Sequence, residues 1–169
     1  MNNEVSTAEI LALKVLNRDI DERWVNWAVD MLKEGYETEH LIILAGESKP
    51  FNQFEMQELA ENVLSELQLD YSDKEQTIKN YACFLIDKFF NGEIDNLKVL
   101  TILKDICIEL AYGMYLFDFY LFCFAKDEIS YLGYQFYIQG VTAENIDEKI
   151  ADYFLEWKTN CDKNTTTPA

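Results

Sequence analysis

Apolar residues recur every three or four positions along most of the chain, which is the spacing that places them on one face of an α-helix. Capping residues mark helix starts, as in the sequence STAE, where Ser6 and Glu9 form a capping box. The predicted helices begin near Ser6, after the sequence RDID, and near Thr38, Asn52, Ser72, Asp95 and Thr142. The pattern therefore predicts an all-α protein, a single-domain helical bundle of about seven helices, with one domain over residues 1–160 and a disordered polar tail over 161–169.

Residues 111–125, with the sequence AYGMYLFDFYLFCFA, combine seven aromatic residues with a single charge. They continue an apolar helix that is predicted to start at Asp95, and a helix that is apolar around most of its circumference normally lies at the centre of a bundle. The segment is therefore expected in the core, and the alternative is an exposed aromatic surface for another protein. Asp118 either caps a helix that starts after a bend near Gly113 or faces water at a helix edge, since an unpaired buried carboxylate is costly.

The sequence of the segment that follows, EISYLGYQFYIQG, does not indicate whether the segment is a helix or a strand. Its aromatic residues fit a helix or a short strand, because short apolar runs occur in both. Helix and strand therefore remain alternatives for residues 129–139.

Acidic residues outnumber basic ones, at 31 to 14 in 169 residues, so the formal net charge is -17. Proteins that bind nucleic acid need a basic surface to neutralise phosphates, and the chain contains no run of lysine and arginine. We therefore expect no nucleic-acid partner. We also expect no membrane partner, because no apolar run reaches the ~20 residues of a spanning helix and anionic lipid would repel the chain. A basic protein partner would be attracted.

The purest acidic surface is predicted on the helix that begins at Asn52. Its apolar residues form one stripe, and the opposite side carries glutamates and no lysine or arginine. Two phenylalanines at the helix start are candidate anchors, because aromatic residues supply much of the affinity in protein interfaces. The candidate partner-binding residues are Phe51, Phe54, Glu55, Glu58, Glu61 and Glu66.

The sequence lacks the residue patterns that usually carry catalysis or metal binding. His40 is the single histidine, so the Glu-x-x-His spacing of ETEH cannot form the paired motif of a di-metal bundle. There is also no glycine-rich phosphate loop. We therefore predict a protein that is not an enzyme, with no catalytic residue, no metal ligand and no cofactor.

The four cysteines, Cys83, Cys107, Cys123 and Cys161, include no CxxC pair, and three of them lie within apolar helical patterns. Because a buried free cysteine packs as a small apolar residue, no structural disulfide is expected. The N-terminal sequence MNNEVSTAEI has neither the basic region nor the apolar core of a secretory signal. These observations predict a protein of the reducing cytoplasm.

Residues 27–70 resemble a group of uncharacterised bacterial helical proteins. The shared pattern is a helix that ends in glycine, a short LxxLAG helix, a loop with an acidic and aromatic start, and a helix that ends in an ELxL-like turn. The residues that carry the resemblance are Trp27, Gly35, Leu41, Leu44, Ala45, Gly46, Phe54, Glu55, Leu59, Leu64, Glu66 and Leu69. The resemblance covers about a quarter of the chain, implies an all-helical fold and brings no established activity.

Some proteins of similar size and acidity are immunity proteins, which neutralise the toxins that bacteria use in competition. This analogy predicts a cytosolic binding protein whose acidic helices cover the active site of a basic toxin domain. The alternative is a scaffold or oligomerisation protein that uses the aromatic segment 111–125 as its interface. The sequence leaves the oligomeric state and the identity of the partner open.

Overall fold

The computed structural model describes residues 6–164, with side chains described up to residue 161, and this part of the chain is helical and contains no strand. The predicted all-α fold is thereby confirmed, and the described residues form eight α-helices where the sequence predicts about seven. The helices are α1 (Thr7–Val15), α2 (Glu22–Lys33), α3 (Glu39–Ala45), α4 (Gln53–Glu66), α5 (Lys74–Phe90), α6 (Asn96–Glu109), α7 (Phe117–Leu132) and α8 (Ile146–Asn164). A short 3-10 helix, Met114–Leu116, precedes α7.

Several helices begin where their capping residues predict. The Ser6 hydroxyl accepts a hydrogen bond from the Glu9 amide at 3.1 Å, and the Asp95 carboxylate accepts one from the Lys98 amide at 2.7 Å. Each side chain thereby satisfies an amide that the first helical turn leaves without a backbone partner.

Two predicted helix starts are displaced along the chain. Helix α5 is capped by Asp73, whose carboxylate accepts a hydrogen bond from the Gln76 amide at 2.9 Å, and not by Ser72. Helix α8 begins at Ile146, after a turn, rather than near Thr142. Neighbouring polar residues compete for the same backbone amides, so the sequence pattern alone does not select the one that caps.

The helical conformation is interrupted at two places around the aromatic segment. Helix α6 ends because Ala111 and Tyr112 adopt left-handed backbone conformations, with φ of 53° and 61°. Asp118 is exposed in the first turn of α7, where the helix dipole favours a carboxylate, so its water-facing alternative is confirmed. Gly133, with φ of 80°, ends α7, and residues 134–145 are neither helix nor strand.

The predicted bundle is built from two compact units, Met1–Tyr81 and Ala82–Ala169, and the division between them falls within α5. In the first unit, α2 packs against α1 and α3, and α3 packs against α4. Its enclosed apolar core includes Ile10, Trp24, Trp27, Leu41, Leu44, Ala60 and Leu64. The Trp27 indole donates a hydrogen bond to the Thr7 hydroxyl at 3.1 Å, so this large ring is buried with its polar atom satisfied.

In the second unit, α6 packs against α7 and α8. The Phe119 ring of α7 is fully buried and lies among three rings of α8. Its centroid is 4.9 Å from that of Tyr153, 6.0 Å from Phe154 and 5.1 Å from Trp157. The apolar stripe that the sequence predicts on the last helix therefore packs against the aromatic segment.

The expectation that the chain has no structural disulfide is wrong. Cys83 in α5 and Cys161 near the end of α8 are disulfide-bonded, with their Cα atoms 6.1 Å apart. They are 78 positions apart in the sequence, so only the tertiary fold brings them together. Cys107 and Cys123 are free and buried, as expected of cysteines that pack as small apolar residues.

The structure describes part of the predicted C-terminal tail, residues 161–169. Helix α8 extends to Asn164, so residues 161–164 are helical and the disorder predicted for them is wrong. The rest of the predicted tail, residues 165–169, and the N-terminal residues 1–5 lie outside the described part of the chain. None of the described helices combines the length and the apolar character that crossing a bilayer requires.

Candidate functional site

The candidate partner surface lies on the outer side of α4, whose apolar stripe packs into the core of the first unit. Phe54, Glu58 and Glu61 follow one another at spacings of four and three residues, so they share one face of the helix. Phe54 is 81% exposed, and Glu55 and Glu58 are exposed beside it. We call Phe54, Glu55, Glu58 and Glu61 the acidic face of α4.

Glutamine side chains hold the N-terminal half of α4 in place. Gln53 accepts a hydrogen bond from the Ile20 amide and donates one to the Ile20 carbonyl, each at 2.9 Å. Gln57 donates to the Arg18 carbonyl at 3.2 Å. These bonds fix the loop before α2 against α4, so the acidic face is carried by a helix with a defined position.

Glu61 is the member of the acidic face that already has an internal partner. Lys14 of α1 donates to Glu61 Oε1 at 2.9 Å and to Gln57 Oε1 at the same distance. An ion pair this close to water contributes only about 0–1 kcal/mol, because solvent screens it. The Glu61 side chain is still 61% exposed, so a cation from a partner can compete with Lys14 for it.

Glu66 lies at the end of α4 and is engaged by α3. Its carboxylate accepts a hydrogen bond from the His40 amide at 3.2 Å and contacts His40 Nδ1 at 2.5 Å. The neighbouring Thr38 hydroxyl and then His40 lower the pKa of Glu66, and the hydrogen bond to Glu66 raises the pKa of His40. Glu66 therefore links α3 to α4 and stands apart from the acidic face.

We expect His40 to titrate above the ordinary histidine pKa, and Glu66→Gln to lower that pKa, because an amide stabilises imidazolium less than a carboxylate does. Since folding raises this pKa, the contribution of His40 to stability is present below about pH 6.5 and is lost as the pH rises through the folded-state value. A proton NMR titration measures the pKa without overlap, as the chain has one histidine. Glu39→Gln is the control and should lower the pKa less, since Glu39 acts through its charge alone. Equal effects of the two variants would contradict the assignment.

Of the two predicted aromatic anchors, Phe54 is the one that a partner can reach. Phe51 is partly buried and packs against the core of the first unit. Between them, the Asn52 side chain accepts a hydrogen bond from the Phe54 amide at 3.2 Å and starts the helix. The turn into α4 thus directs Phe51 inward and Phe54 outward.

The aromatic segment 111–125 divides between core and surface. Its buried residues are Leu116, Phe119, Phe122, Cys123 and Ala125. On the other side of α7, Phe117, Tyr120 and Phe124 are partly exposed, with centroid distances of 5.5 Å for Phe117–Tyr120 and 4.7 Å for Tyr120–Phe124. One side of α7 is therefore core, as expected, and the other side is a surface.

This surface extends beyond the segment. Tyr112 contacts Tyr120, and Tyr137 from the loop after α7 contacts Phe124, with centroid distances of 5.5 and 6.0 Å. Tyr131, two turns after Phe124, is 86% exposed. We call the following six residues the aromatic surface of α7: Tyr112, Phe117, Tyr120, Phe124, Tyr131 and Tyr137.

The predicted interface, residues 111–125, does not include two members of this surface, Tyr131 and Tyr137. The position of Tyr131 could have been predicted from the sequence spacing, because Tyr131 follows Phe124 by seven residues and so lies on the same helix face. The position of Tyr137 could not have been predicted in this way, because it depends on how the chain returns toward α7 after Gly133, and no local pattern predicts that path.

Neither metal ligation nor likeness to known proteins assigns a function to these surfaces. Among the side chains of residues 6–161, no group of three or more histidines, cysteines, aspartates or glutamates is placed to hold a metal ion. No family model, no curated protein and no solved structure matches the chain. The resemblance of residues 27–70 to uncharacterised bacterial helical proteins stays a prediction.

Proposed function

We propose that the protein is a non-enzymatic protein-binding module of the immunity type, which neutralises a basic toxin domain through the acidic face of α4. One observation carries the proposal. A phenylalanine that is 81% exposed, Phe54, lies on a fixed helix beside Glu55 and Glu58, which pair with no cation among the described residues. A basic partner with an apolar pocket would match both features. Nucleic acid, membrane and cofactor have no part in the proposal.

Charge and burial would act at different stages of binding. A net charge of -17, with carboxylates on α4, speeds the approach of a basic partner, and salt weakens this attraction by screening it. Phe54 acts after encounter, because covering its ring stabilises the complex by about 2 kcal/mol. The carboxylates should therefore govern mainly the association rate, and Phe54 mainly the dissociation rate.

We expect the full chain, used as bait in a lysate of its native host, to capture one basic protein at low salt and less of it at high salt. A bait with Glu55→Gln and Glu58→Gln should capture less, because two carboxylates of the acidic face are gone. The control bait carries Glu148→Gln and Asp152→Asn, two exposed positions of α8, and has the same net charge. Mass spectrometry identifies and quantifies the captured protein.

Rate constants for the captured protein then test the mechanism. The double glutamine variant should slow association about threefold or more at low salt and match the unmodified chain at high salt. Phe54→Ala should speed dissociation about tenfold or more. Equal capture by the two double variants would contradict the proposal, and so would recovery of the bait alone.

The aromatic surface of α7 favours a second candidate function, that of a scaffold or oligomerisation protein. Monomeric proteins rarely expose contiguous apolar patches of this kind unless a partner covers them. Self-association through such a patch would resist salt, because apolar contacts are not screened as charges are. Sedimentation velocity at low and high salt separates the candidates, since a salt-resistant dimer supports the scaffold and a stable monomer supports the neutralising role.

A cytoplasmic location remains part of the proposal. The disulfide between Cys83 and Cys161 counts against it, because disulfides are rare in reducing compartments. The oxidation state of this pair in intact host cells, trapped by thiol alkylation and read by mass spectrometry, decides between the cytoplasm and an oxidising compartment.

A further inference from the structure

A carboxylate lies within the aromatic surface of α7. Glu128 follows Phe124 by four residues and precedes Tyr131 by three, so the three side chains share one face of the helix. Glu128 is partly exposed, and burial and then the Glu128 carboxylate raise the pKa of the Tyr137 phenol. One carboxylate oxygen of Glu128, Oε2, is covered and has no hydrogen-bond partner among the described residues. The carboxylate is therefore short of the donors that a partly buried charge requires.

The nearest cation in the sequence is directed away from Glu128. Lys126 donates hydrogen bonds to Asp147 of α8 at 2.6 Å and to Asn96 of α6 at 2.5 Å. Its ammonium group is therefore already paired with residues of these two helices. Asp127 is exposed next to Glu128 and adds a second negative charge. The C-terminal half of the aromatic surface consists of Phe124, Tyr131 and Tyr137. It thus combines exposed or partly exposed rings with negative charge.

We propose that this half of the aromatic surface binds an arginine-bearing segment of another protein. The guanidinium group suits both features, because it is planar, stacks on phenylalanine and tyrosine rings, and donates charge-assisted hydrogen bonds to a carboxylate. A lysine ammonium suits them less, because it is a strongly hydrated point charge that does not stack. This binding uses a different surface from the acidic face of α4 and does not depend on it.

The observations favour another protein as the occupant over a second copy of this chain, which is the occupant in the oligomerisation candidate. The chain contains two arginines, and Arg23 is already held by Asp21 at 2.7 Å. A symmetric contact through α7 would also bring the same carboxylates of both copies together, at a net charge of -17 on each copy. Like charges brought together in this way oppose association.

The test titrates the isotope-labelled full chain with an eight-residue peptide of alternating arginine and alanine, blocked at both ends, and follows backbone amide signals by NMR. Two matched peptides carry citrulline, which keeps the shape of arginine without its charge, or lysine. The arginine peptide should shift the signals of residues 117–137. The lysine peptide should bind there about threefold or more weakly, and the citrulline peptide should not bind measurably. Signals of α4 are fitted separately in the same titration.

Variants assign the binding to Glu128. Glu128→Gln keeps the side-chain shape and should weaken the affinity of the arginine peptide for α7 about tenfold, because a charge-assisted hydrogen bond is lost. Tyr131→Ala, at an 86% exposed position that the fold does not need, should weaken it about threefold or more. Glu148→Gln removes the same charge from an exposed position of α8 and should change the affinity less than about twofold. Equal affinities of the two glutamine variants, shifts confined to α4, or a dimer that forms through α7 without peptide would overturn the proposal.

Discussion

Replacing Phe119 with alanine is expected to lower the free energy of unfolding by about 4 kcal/mol. The ring is fully buried and contacts Tyr153, Phe154 and Trp157. Its removal loses the transfer free energy of the ring and leaves a cavity among large side chains, which cannot collapse to fill it. Urea unfolding of the full chain, followed by circular dichroism, measures the loss.

The matched control is Phe136→Ala, which removes the same atoms from a ring that is 87% exposed. It should change the free energy of unfolding by less than about 0.5 kcal/mol. Phe117→Ala, on the partly exposed side of α7, should fall between the two. Similar losses for Phe119→Ala and Phe136→Ala would mean that the division of the aromatic residues between core and surface is wrong.

That division is the feature of the aromatic segment that its sequence could not predict. A helix with one polar and one apolar side shows its orientation in the pattern, but α7 carries aromatic residues on both sides. Phe119 and Phe122 are buried while Phe117 and Tyr120 are partly exposed, and the two pairs have the same apolar character. The distinction arises only because α6 and α8 cover one side of α7.

Local features were predicted well, because they depend on residues a few positions apart. Ser6 and Asp95 cap their helices through bonds to amides three residues along the chain. Gly35, which the sequence pattern places at a helix end, has φ of 95°, a conformation that glycine adopts at little cost. The helix starts at Ser6 and Asp95 and the helix end at Gly35 therefore follow from the sequence, whereas the sequence does not decide between Ser72 and Asp73 as the cap of α5.

The candidate site depends on tertiary packing, in contrast to the capping of individual helices. The spacing of the glutamates predicted an acidic side of α4, but the spacing says nothing about which of them the fold uses internally. Lys14 lies 47 residues from Glu61, and His40 lies 26 residues from Glu66. Such ion pairs depend on how helices pack. The sequence therefore does not distinguish Glu61 and Glu66 from the glutamates beside Phe54, which form no ion pair among the described residues.

Loss of the disulfide between Cys83 and Cys161 is expected to lower the free energy of unfolding by about 4 kcal/mol. The two residues are 78 positions apart, and opening so long a loop returns much conformational entropy to the unfolded chain. Cys83→Ser and Cys161→Ser each prevent the bond. Urea unfolding of the purified chain, with and without a thiol reductant, measures the effect.

Comparison of the single and double variants tests the bond itself. If the two sulfurs are bonded, Cys83→Ser, Cys161→Ser and the double variant should lose about the same stability, because each removes the same bond. Reductant should lower the unmodified chain to their level and leave the variants unchanged. Cys107→Ala, which alters a buried free cysteine, is the control and should keep the full response to reductant. Losses that add in the double variant, together with no effect of reductant, would mean that the two cysteines pack as separate thiols. That outcome would restore the arrangement predicted from the sequence and remove the objection to a cytoplasmic location.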